Sequence, residues 1–153
     1  MVKHSAGNSN MMLGKWVMAG MLLACSTGAW AEASDKLWPV VKEAFFANRT
    51  IEEVPFIQLT GPRRAESGAQ VPVTLTVNQS QSPAAIKNVY IIVDANPIQL
   101  AATYHLTELL GNLQLSTRIR METDSFVRAI GETADGKLYM STIQIRAAGG
   151  CGG

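Results

Sequence analysis

The sequence predicts an all-β domain, an immunoglobulin-like antiparallel β-sandwich, that follows one short N-terminal helix. Three observations support this fold class. Apolar and polar residues alternate along several segments, which is the period of a half-buried strand. Turn-forming residues separate these segments at short intervals. No helical segment lies between them, so antiparallel pairing is expected rather than the helix-linked crossovers of a parallel sheet.

The short helix is predicted over residues 34–48, which read SDKLWPVVKEAFFAN. Ser34 can cap the first turn, and Asp35 suits the positive end of the helix dipole. Pro39 is tolerated if it lies in the first turn, where a missing N–H costs little. The apolar face at helical spacing is expected to consist of Leu37, Val41, Ala44 and Phe45.

About seven strands are predicted after the helix. The clearest alternation is in VPVTLTVN at residues 71–78, with Pro72 near the start of the strand or on a sheet edge. Asp135–Gly136 separates the last two strands and is a strong signal for a hairpin turn. The predicted strands lie within residues 56–62, 71–78, 87–97, 98–106, 113–121, 125–132 and 137–146.

The charge balance argues against nucleic acid as a partner. The chain carries 13 basic and 12 acidic residues, for a net charge of +1, and phosphate binding needs a concentrated basic field. Arg118 and Arg120 alternate along a predicted strand, so both should lie on one face. They could contact an anion or an acidic partner, but a solvated sheet face is the simpler explanation.

Little in the predicted sandwich could catalyse a reaction. The chain shows no Cys/His spacing typical of a metal site, no nucleophile motif and no glycine-rich phosphate loop that opens a helix. His105 is the single histidine after the leader, and a lone histidine on a strand is expected to be structural. We therefore expect no catalytic residue, no metal and no cofactor.

Residues 1–31 are predicted to be a signal peptide. Lys3 and Lys15 are followed by an apolar run at residues 16–24, and AWA at residues 29–31 suits signal peptidase. The apolar run is too short for a permanent transmembrane helix. The domain is then expected over residues 32–148, in the periplasm and without a membrane span. A second possibility is a lipoprotein box at residues 22–25, which would place a lipid on Cys25.

The sequence ends in AAGGCGG, and residues 149–153 form what we call the arm. Its glycines cannot pack a core or extend a helix, so a flexible, slim segment is expected. Four extended residues before Cys151 reach about 13 Å, at roughly 3.3 Å per residue. This suits a swinging arm with one nucleophile. The alternative is an envelope interaction module whose arm cysteine forms an intermolecular disulfide. The arm residues are Gly149, Gly150, Cys151, Gly152 and Gly153.

The chain resembles the SoxY family, the sulfur-carrier subunits of the bacterial Sox thiosulfate-oxidising system. The resemblance lies in the GGCGG ending and in four longer segments. These are VPVTLTV at 71–77, VYIIVDANPIQLAATYHL at 89–106, STRIRM at 116–121 and DGKLYMSTIQIRAAGGCGG at 135–153. The resemblance implies a carrier rather than an enzyme, with covalent sulfur adducts on Cys151 and no cofactor of its own.

The resemblance also implies partners. A SoxZ-like subunit would form a heterodimer with this chain, while the haem enzyme SoxAX would load Cys151. The di-manganese enzyme SoxB would hydrolyse the adduct, and SoxCD would in some systems oxidise the remaining sulfur. One feature departs from the family. Such precursors commonly carry a twin-arginine export signal, and no Arg-Arg pair occurs in residues 1–31.

Overall fold

The structure is a computed structural model that describes residues 36–47, 49–107 and 111–147. In these ranges it contains one α-helix, α1 (Trp38–Phe46), a 3-10 turn at Gln79–Gln81 and nine strands. The strands are β1 (Ile51–Glu53), β2 (Ile57–Thr60), β3 (Arg64–Ala65), β4 (Val71–Asn78), β5 (Ile86–Val93), β6 (Leu100–His105), β7 (Asn112–Ile119), β8 (Ser125–Thr133) and β9 (Leu138–Ala147).

The strands form two sheets, which confirms the predicted β-sandwich. The larger sheet has the order β1-β9-β8-β5-β6, with β3 also paired to β9, and the smaller sheet has the order β2-β4-β7. Most neighbours are antiparallel, as expected. The short strands β1 and β3, which the sequence did not predict, pair parallel with β9. Strands of three and two residues show too little alternation to be recognised from the sequence.

The main core lies between the two sheets. Alternate residues of β4 point into it, and all four of these side chains are buried. The facing strands β5 and β8 of the larger sheet contribute buried valine, isoleucine and alanine side chains. The inward residues of β4 are Val71, Val73, Leu75 and Val77. This alternation explains why residues 71–78 were recognisable as a half-buried strand.

The helix α1 covers the opposite face of the larger sheet. Val41 and Phe46 pack there with buried residues of β5, β8 and β9, in a second cluster. The ring of Phe46 meets the ring of Tyr90 edge-on, at 5.7 Å between centroids. Because β5 is covered on both faces, its residues Ile91, Ile92 and Val93 are all buried and do not alternate.

The helix is shorter than predicted, and its apolar face differs. α1 starts at Trp38, with Leu37 at the N-cap and Pro39 in the first turn, as predicted. The proposed capping residues Ser34 and Asp35 lie outside the described residues. The expectation that Phe45 faces the core is wrong, since Phe46 is buried and Phe45 is 40% exposed. The sheet beneath the helix, rather than the local spacing, selects the buried ring.

Candidate functional site

The candidate site is the end of β9, from which the arm continues. Cys151 and the four arm glycines lie outside the described residues, so the expectations about their conformation stay predictions. Ala147 is the last described residue, four positions before Cys151. The residues around Ala147 therefore define where the arm starts and what surrounds it.

Ala147 is held firmly in the sandwich. It is only 8% exposed, and it pairs with Ala65 in the parallel register of β3 with β9. Its backbone N–H donates to Oδ1 of Asp124 at 2.9 Å. The Ala147 amide thus finds a side-chain acceptor at the point where the backbone hydrogen bonds of the sheet end. This hydrogen bond fixes Ala147, the base of the arm, to the loop before β8.

The backbones of Gly68 and Met121 approach each other closely beside Ala147, which further restricts the position of the arm base. The N–H of Met121 donates to the carbonyl oxygen of Gly68 at 2.7 Å. A Cβ atom at Gly68 would lie 2.2 Å from the Met121 carbonyl oxygen and 3.7 Å from the Cβ of Ala147. Glycine is therefore required at this position by space, because any larger residue would move the backbone beside the arm base.

Three arginines form a cleft next to Ala147, which we call the arginine cleft. It has a volume of about 470 Å³ and is lined by Arg63, Arg64, Gln144 and Arg146. Arg64 and Arg146 are register partners, and the carbonyl oxygen of Arg63 accepts the N–H of Arg146 at 3.0 Å. All four side chains are exposed, and no carboxylate is among the lining residues.

The three guanidinium groups of the arginine cleft form no ion pair with any other described residue. Three like charges that share one open cleft, without a carboxylate, make a local positive field that favours an anion. Arginine also presents a planar set of N–H donors that matches oxyanions in bidentate geometry.

A second cleft holds the two arginines that the sequence singled out. Arg118 and Arg120 are exposed on either side of buried Ile119, which confirms that they share a face. The cleft has a volume of about 380 Å³ and also contains Glu122 and the 81% exposed Ile98. Glu122 supplies a negative charge here, so this cleft is less strongly positive than the arginine cleft.

His105 occupies a structural position, at the exposed edge strand β6. Its Nδ1 atom lies 2.7 Å from Oδ1 of Asn88, and Nδ2 of Asn88 donates to Oε2 of Glu132 at 3.2 Å. Among the described residues, its side-chain partner is thus an amide rather than the carboxylate that orients a catalytic histidine. This agrees with the expected structural role.

Glu132 is the centre of a polar network beneath α1. Arg49 and the Tyr90 hydroxyl each donate to its carboxylate at 2.8 Å. Burial raises the pKa of Glu132, but hydrogen bonds from Arg49, Tyr90 and Asn88 outweigh burial and hold the pKa below its ordinary value. Burial, followed by the Glu132 carboxylate, raises the pKa of Tyr90. The network ties β5, β8 and the segment after α1 together.

The described part of the chain contains neither a cluster of metal-binding side chains nor a helix that could span a membrane. Residues 36–47, 49–107 and 111–147 contain no group of three or more histidine, cysteine, aspartate or glutamate side chains placed to hold a metal ion. The only helix in those ranges, α1, is too short to cross a membrane.

Sequence reasoning missed several residues at the arm base. Asp124 and Gly68 lie in turns far from residue 147 along the chain, and nothing in their local sequence signals contact with it. Arg63 and Arg64 lie more than 80 residues before Arg146 in the sequence, and nothing in their local pattern marks them as its neighbours. Their cleft with Arg146 exists because β3 pairs with β9, which is a tertiary contact.

A family model and one solved structure both indicate the SoxY family. The family model described as "Sulfur oxidation protein SoxY" matches residues 42–151. Among solved structures, the sulfur carrier protein SoxY from Chlorobium limicola f thiosulfatophilum is similar, with 27% identity and a TM-score of 0.62. The match covers 77% of this chain and 99% of the Chlorobium chain.

A second solved structure is similar in fold alone. It is a candidate superoxide reductase from Thermotoga maritima, with 14% identity and a TM-score of 0.50. The match covers 63% of this chain and 93% of that chain. No curated protein matches the sequence.

Proposed function

The chain belongs to the SoxY family of sulfur oxidation proteins, and we propose that it carries sulfur intermediates covalently on Cys151. The observation that carries this proposal is the extent of the family match, which ends at residue 151 and so includes the arm cysteine. The similarity to a sulfur carrier over nearly its whole length supports the same role. The protein acts as a carrier subunit, and partner enzymes perform the chemistry.

The first proposed step loads thiosulfate onto the arm. A disulfide bond forms between Sγ of Cys151 and the outer sulfur of thiosulfate. The thiol proton is released and two electrons pass to the haem enzyme SoxAX, which is the oxidant. The product is a cysteine-bound thiosulfonate with one negative charge on its sulfonate end.

The second proposed step releases sulfate. Water adds to the sulfonate sulfur in the active site of SoxB, and the bond between the sulfonate sulfur and the sulfane sulfur breaks. Sulfate and a proton leave, and a persulfide remains on Cys151. Where SoxCD is present, it takes six electrons from the persulfide while three water molecules supply oxygen, and the product is a sulfonate on Cys151. Hydrolysis of this sulfonate by SoxB releases a second sulfate and restores the thiol. Where SoxCD is absent, a nucleophilic acceptor takes the sulfane sulfur and the thiol is restored directly.

The arm base supports this role, because a carrier needs an arm that starts from a fixed point and is narrow enough to enter the active site of a partner. Ala147 is pinned by Asp124 and by pairing with β3. Residues 148–153 consist of alanine, glycine and one cysteine, so a narrow channel in a partner could admit this segment. We propose further that the chain works in the periplasm as a heterodimer with a SoxZ-like subunit.

The test measures the mass that sulfur adducts add to a chain with a single thiol. The full chain carrying Cys25→Ser is incubated with its SoxZ-like subunit, thiosulfate and the partner enzymes, and its intact mass is followed. We expect a thiosulfate adduct after SoxAX is added, then a persulfide and free sulfate after SoxB. The matched variant Cys151→Ser, in the same background, should acquire neither adduct.

The alternative function makes a different prediction. If the arm cysteine only links two chains, non-reducing electrophoresis will show a covalent dimer that Cys151→Ser abolishes, and no sulfur adduct will appear with any enzyme. Sulfate release that continues in Cys151→Ser would overturn the carrier proposal.

A further inference from the structure

We infer that the arginine cleft binds the sulfonate end of the thiosulfonate carried on Cys151 of the same chain. The inference rests on the proposed function, because it concerns the loaded state of the arm. It adds an intramolecular site, made of Arg63, Arg64 and Arg146, that recognises one state of the cargo. The thiol and persulfide states of the arm are not held there.

The charge of the cleft selects the ligand class. Three exposed arginines line it, and the described part of its lining contains neither a carboxylate nor an apolar residue. A sulfonate presents three oxygen atoms and one negative charge, which suits bidentate donation from arginine. A volume of about 470 Å³ leaves room for such a group together with water.

The distances allow the arm to fold back. Arg146 directly precedes Ala147, and Arg64 lies on the neighbouring strand in register with Arg146, so its backbone is about 4.8 Å away. Cys151 is four residues beyond Ala147 and reaches about 13 Å from it. Gly149 and Gly150 accept the backbone angles of a reversal, so the adduct can return to a cleft at its own origin.

The site would distinguish loaded from empty arms. Among the thiol, the persulfide and the thiosulfonate, only the thiosulfonate carries a sulfonate oxyanion on Cys151, and hydrolysis removes that group as sulfate. The thiol and the persulfide offer the arginines no set of three oxygen atoms. The cleft therefore engages the arm after loading and releases it after hydrolysis, which changes how the arm is presented to successive partners.

The covalent link favours the arm over free anions. A short flexible tether gives an effective concentration on the order of 1 mM. Free thiosulfate must therefore itself approach millimolar concentration to compete for the cleft. We therefore commit to the tethered sulfonate as the occupant.

The experiment forms the adduct without any partner enzyme. The Cys151 thiolate of the full chain, again with Cys25→Ser, reacts with tetrathionate, so that the cysteine acquires the thiosulfonate and one thiosulfate leaves. The probe is the ¹⁵N NMR signal of each arginine Nε–H group. Because loading is chemical, a failure of the enzymes to load the arm would leave this test unaffected.

We expect the Nε–H signals of Arg64 and Arg146 to shift in the thiosulfonate form relative to the thiol form. A neutral Cys151 adduct made with iodoacetamide should leave them in place. The double variant Arg64→Gln/Arg146→Gln should abolish the shift of the remaining Arg63 signal. The matched variant Arg118→Gln/Arg120→Gln removes two exposed charges from the other cleft and should preserve the shifts.

Three results would overturn the inference. The first is identical arginine signals in the thiol and thiosulfonate forms, a comparison that needs no arginine variant to fold. The second is loss of the shifts in Arg118→Gln/Arg120→Gln, which would place the sulfonate in the other cleft. The third is a shift of the same signals in Cys151→Ala by free thiosulfate far below about 1 mM, which would make the cleft a site for free anions.

Discussion

The carboxylate of Asp124 accepts the backbone N–H of Ala147 at 2.9 Å, at the point where β9 ends and the arm follows. An aspartate in the turn before β8 thus sets the origin of the arm, which begins 25 residues later in the sequence. The contact links the rigid sandwich to the part of the chain that carries the proposed chemistry.

We predict that Asp124→Ala weakens this origin. The Ala147 amide is buried and would lose its acceptor, at a cost of about 1 kcal/mol in the free energy of unfolding. Urea denaturation measures this loss, and hydrogen exchange of the Ala147 amide should accelerate. Asp124→Asn keeps an acceptor oxygen and should retain most of the protection. Equal exchange in wild type and Asp124→Ala would contradict the prediction.

Gly68→Ala is expected to disturb the same region by overpacking. The added methyl would lie 2.2 Å from the Met121 carbonyl oxygen, which is backbone and cannot rotate away. We expect a loss of about 1–3 kcal/mol in unfolding free energy. Gly111→Ala is the matched control, because a Cβ there meets no atom within 4 Å. If both variants have the same denaturation midpoint, the close approach at Gly68 does not affect the free energy of unfolding.

The buried ion pair beneath α1 should be costly to break. Nη2 of Arg128 lies 2.8 Å from Oδ2 of Asp94, and both side chains are almost fully buried. The Trp38 ring lies 4.2 Å from the guanidinium carbon. We predict that Arg128→Met, which leaves the Asp94 carboxylate buried without this partner, lowers the unfolding free energy by about 3–5 kcal/mol.

Two further variants test the origin of that loss. Asp94→Asn combined with Arg128→Met should be less destabilised than Arg128→Met alone, because no carboxylate then remains buried. Lys137→Met removes the exposed pair with Asp135 and should leave the denaturation midpoint nearly unchanged. A double variant that is as unstable as the single one would show that lost packing, rather than charge burial, dominates.

Acid should destabilise the fold in part through Glu132. Its pKa in the folded state lies below the ordinary value of 4.5. A depressed carboxyl pKa stabilises the fold above the unfolded-state pKa, and this stability is lost as pH falls through the folded-state pKa. We therefore expect the unfolding free energy to fall as pH drops below about 4.5.

The variant Glu132→Gln isolates this contribution. It should be less stable than wild type at neutral pH, because its side chain accepts fewer charged hydrogen bonds, and the difference should shrink as the pH approaches the folded-state pKa. Urea denaturation at several pH values measures both curves. Parallel curves for wild type and Glu132→Gln would exclude Glu132 as a source of the acid sensitivity.

Arm length should matter for enzyme-catalysed loading but not for the reactivity of the thiol. Deletion of Gly149 and Gly150 shortens the reach of Cys151 by about 7 Å. We expect intact-mass measurements to show a strong loss of enzymatic loading and unchanged chemical modification by tetrathionate. Gly149→Ser/Gly150→Ser keeps the length and serves as the control. Normal loading of the shortened arm would show that partners do not require the reach.

The sequence predicted the strands most reliably where only one face of the strand is buried. β4 alternates because one face meets the core and the other is more exposed, so its bounds were predicted to the residue. β5 is buried on both faces, and its continuous apolar run indicated a strand without revealing the helix above it. Whether Phe45 or Phe46 is buried depends on the shape of the sheet beneath α1. The local sequence around these two adjacent residues does not contain that information.

The sequence by itself predicted Cys151 as the residue that carries the proposed chemistry. A single cysteine among glycines can be recognised from the local sequence alone, without any contact made in the folded protein. The tertiary structure alone decided the surroundings of the arm base, because Asp124, Gly68 and the arginine pair come from distant segments. Parallel pairing of a two-residue strand with β9 brings Arg64 beside Arg146. Such a short strand is stabilised by its neighbours rather than by its own residues, so it exists only once the sandwich has formed.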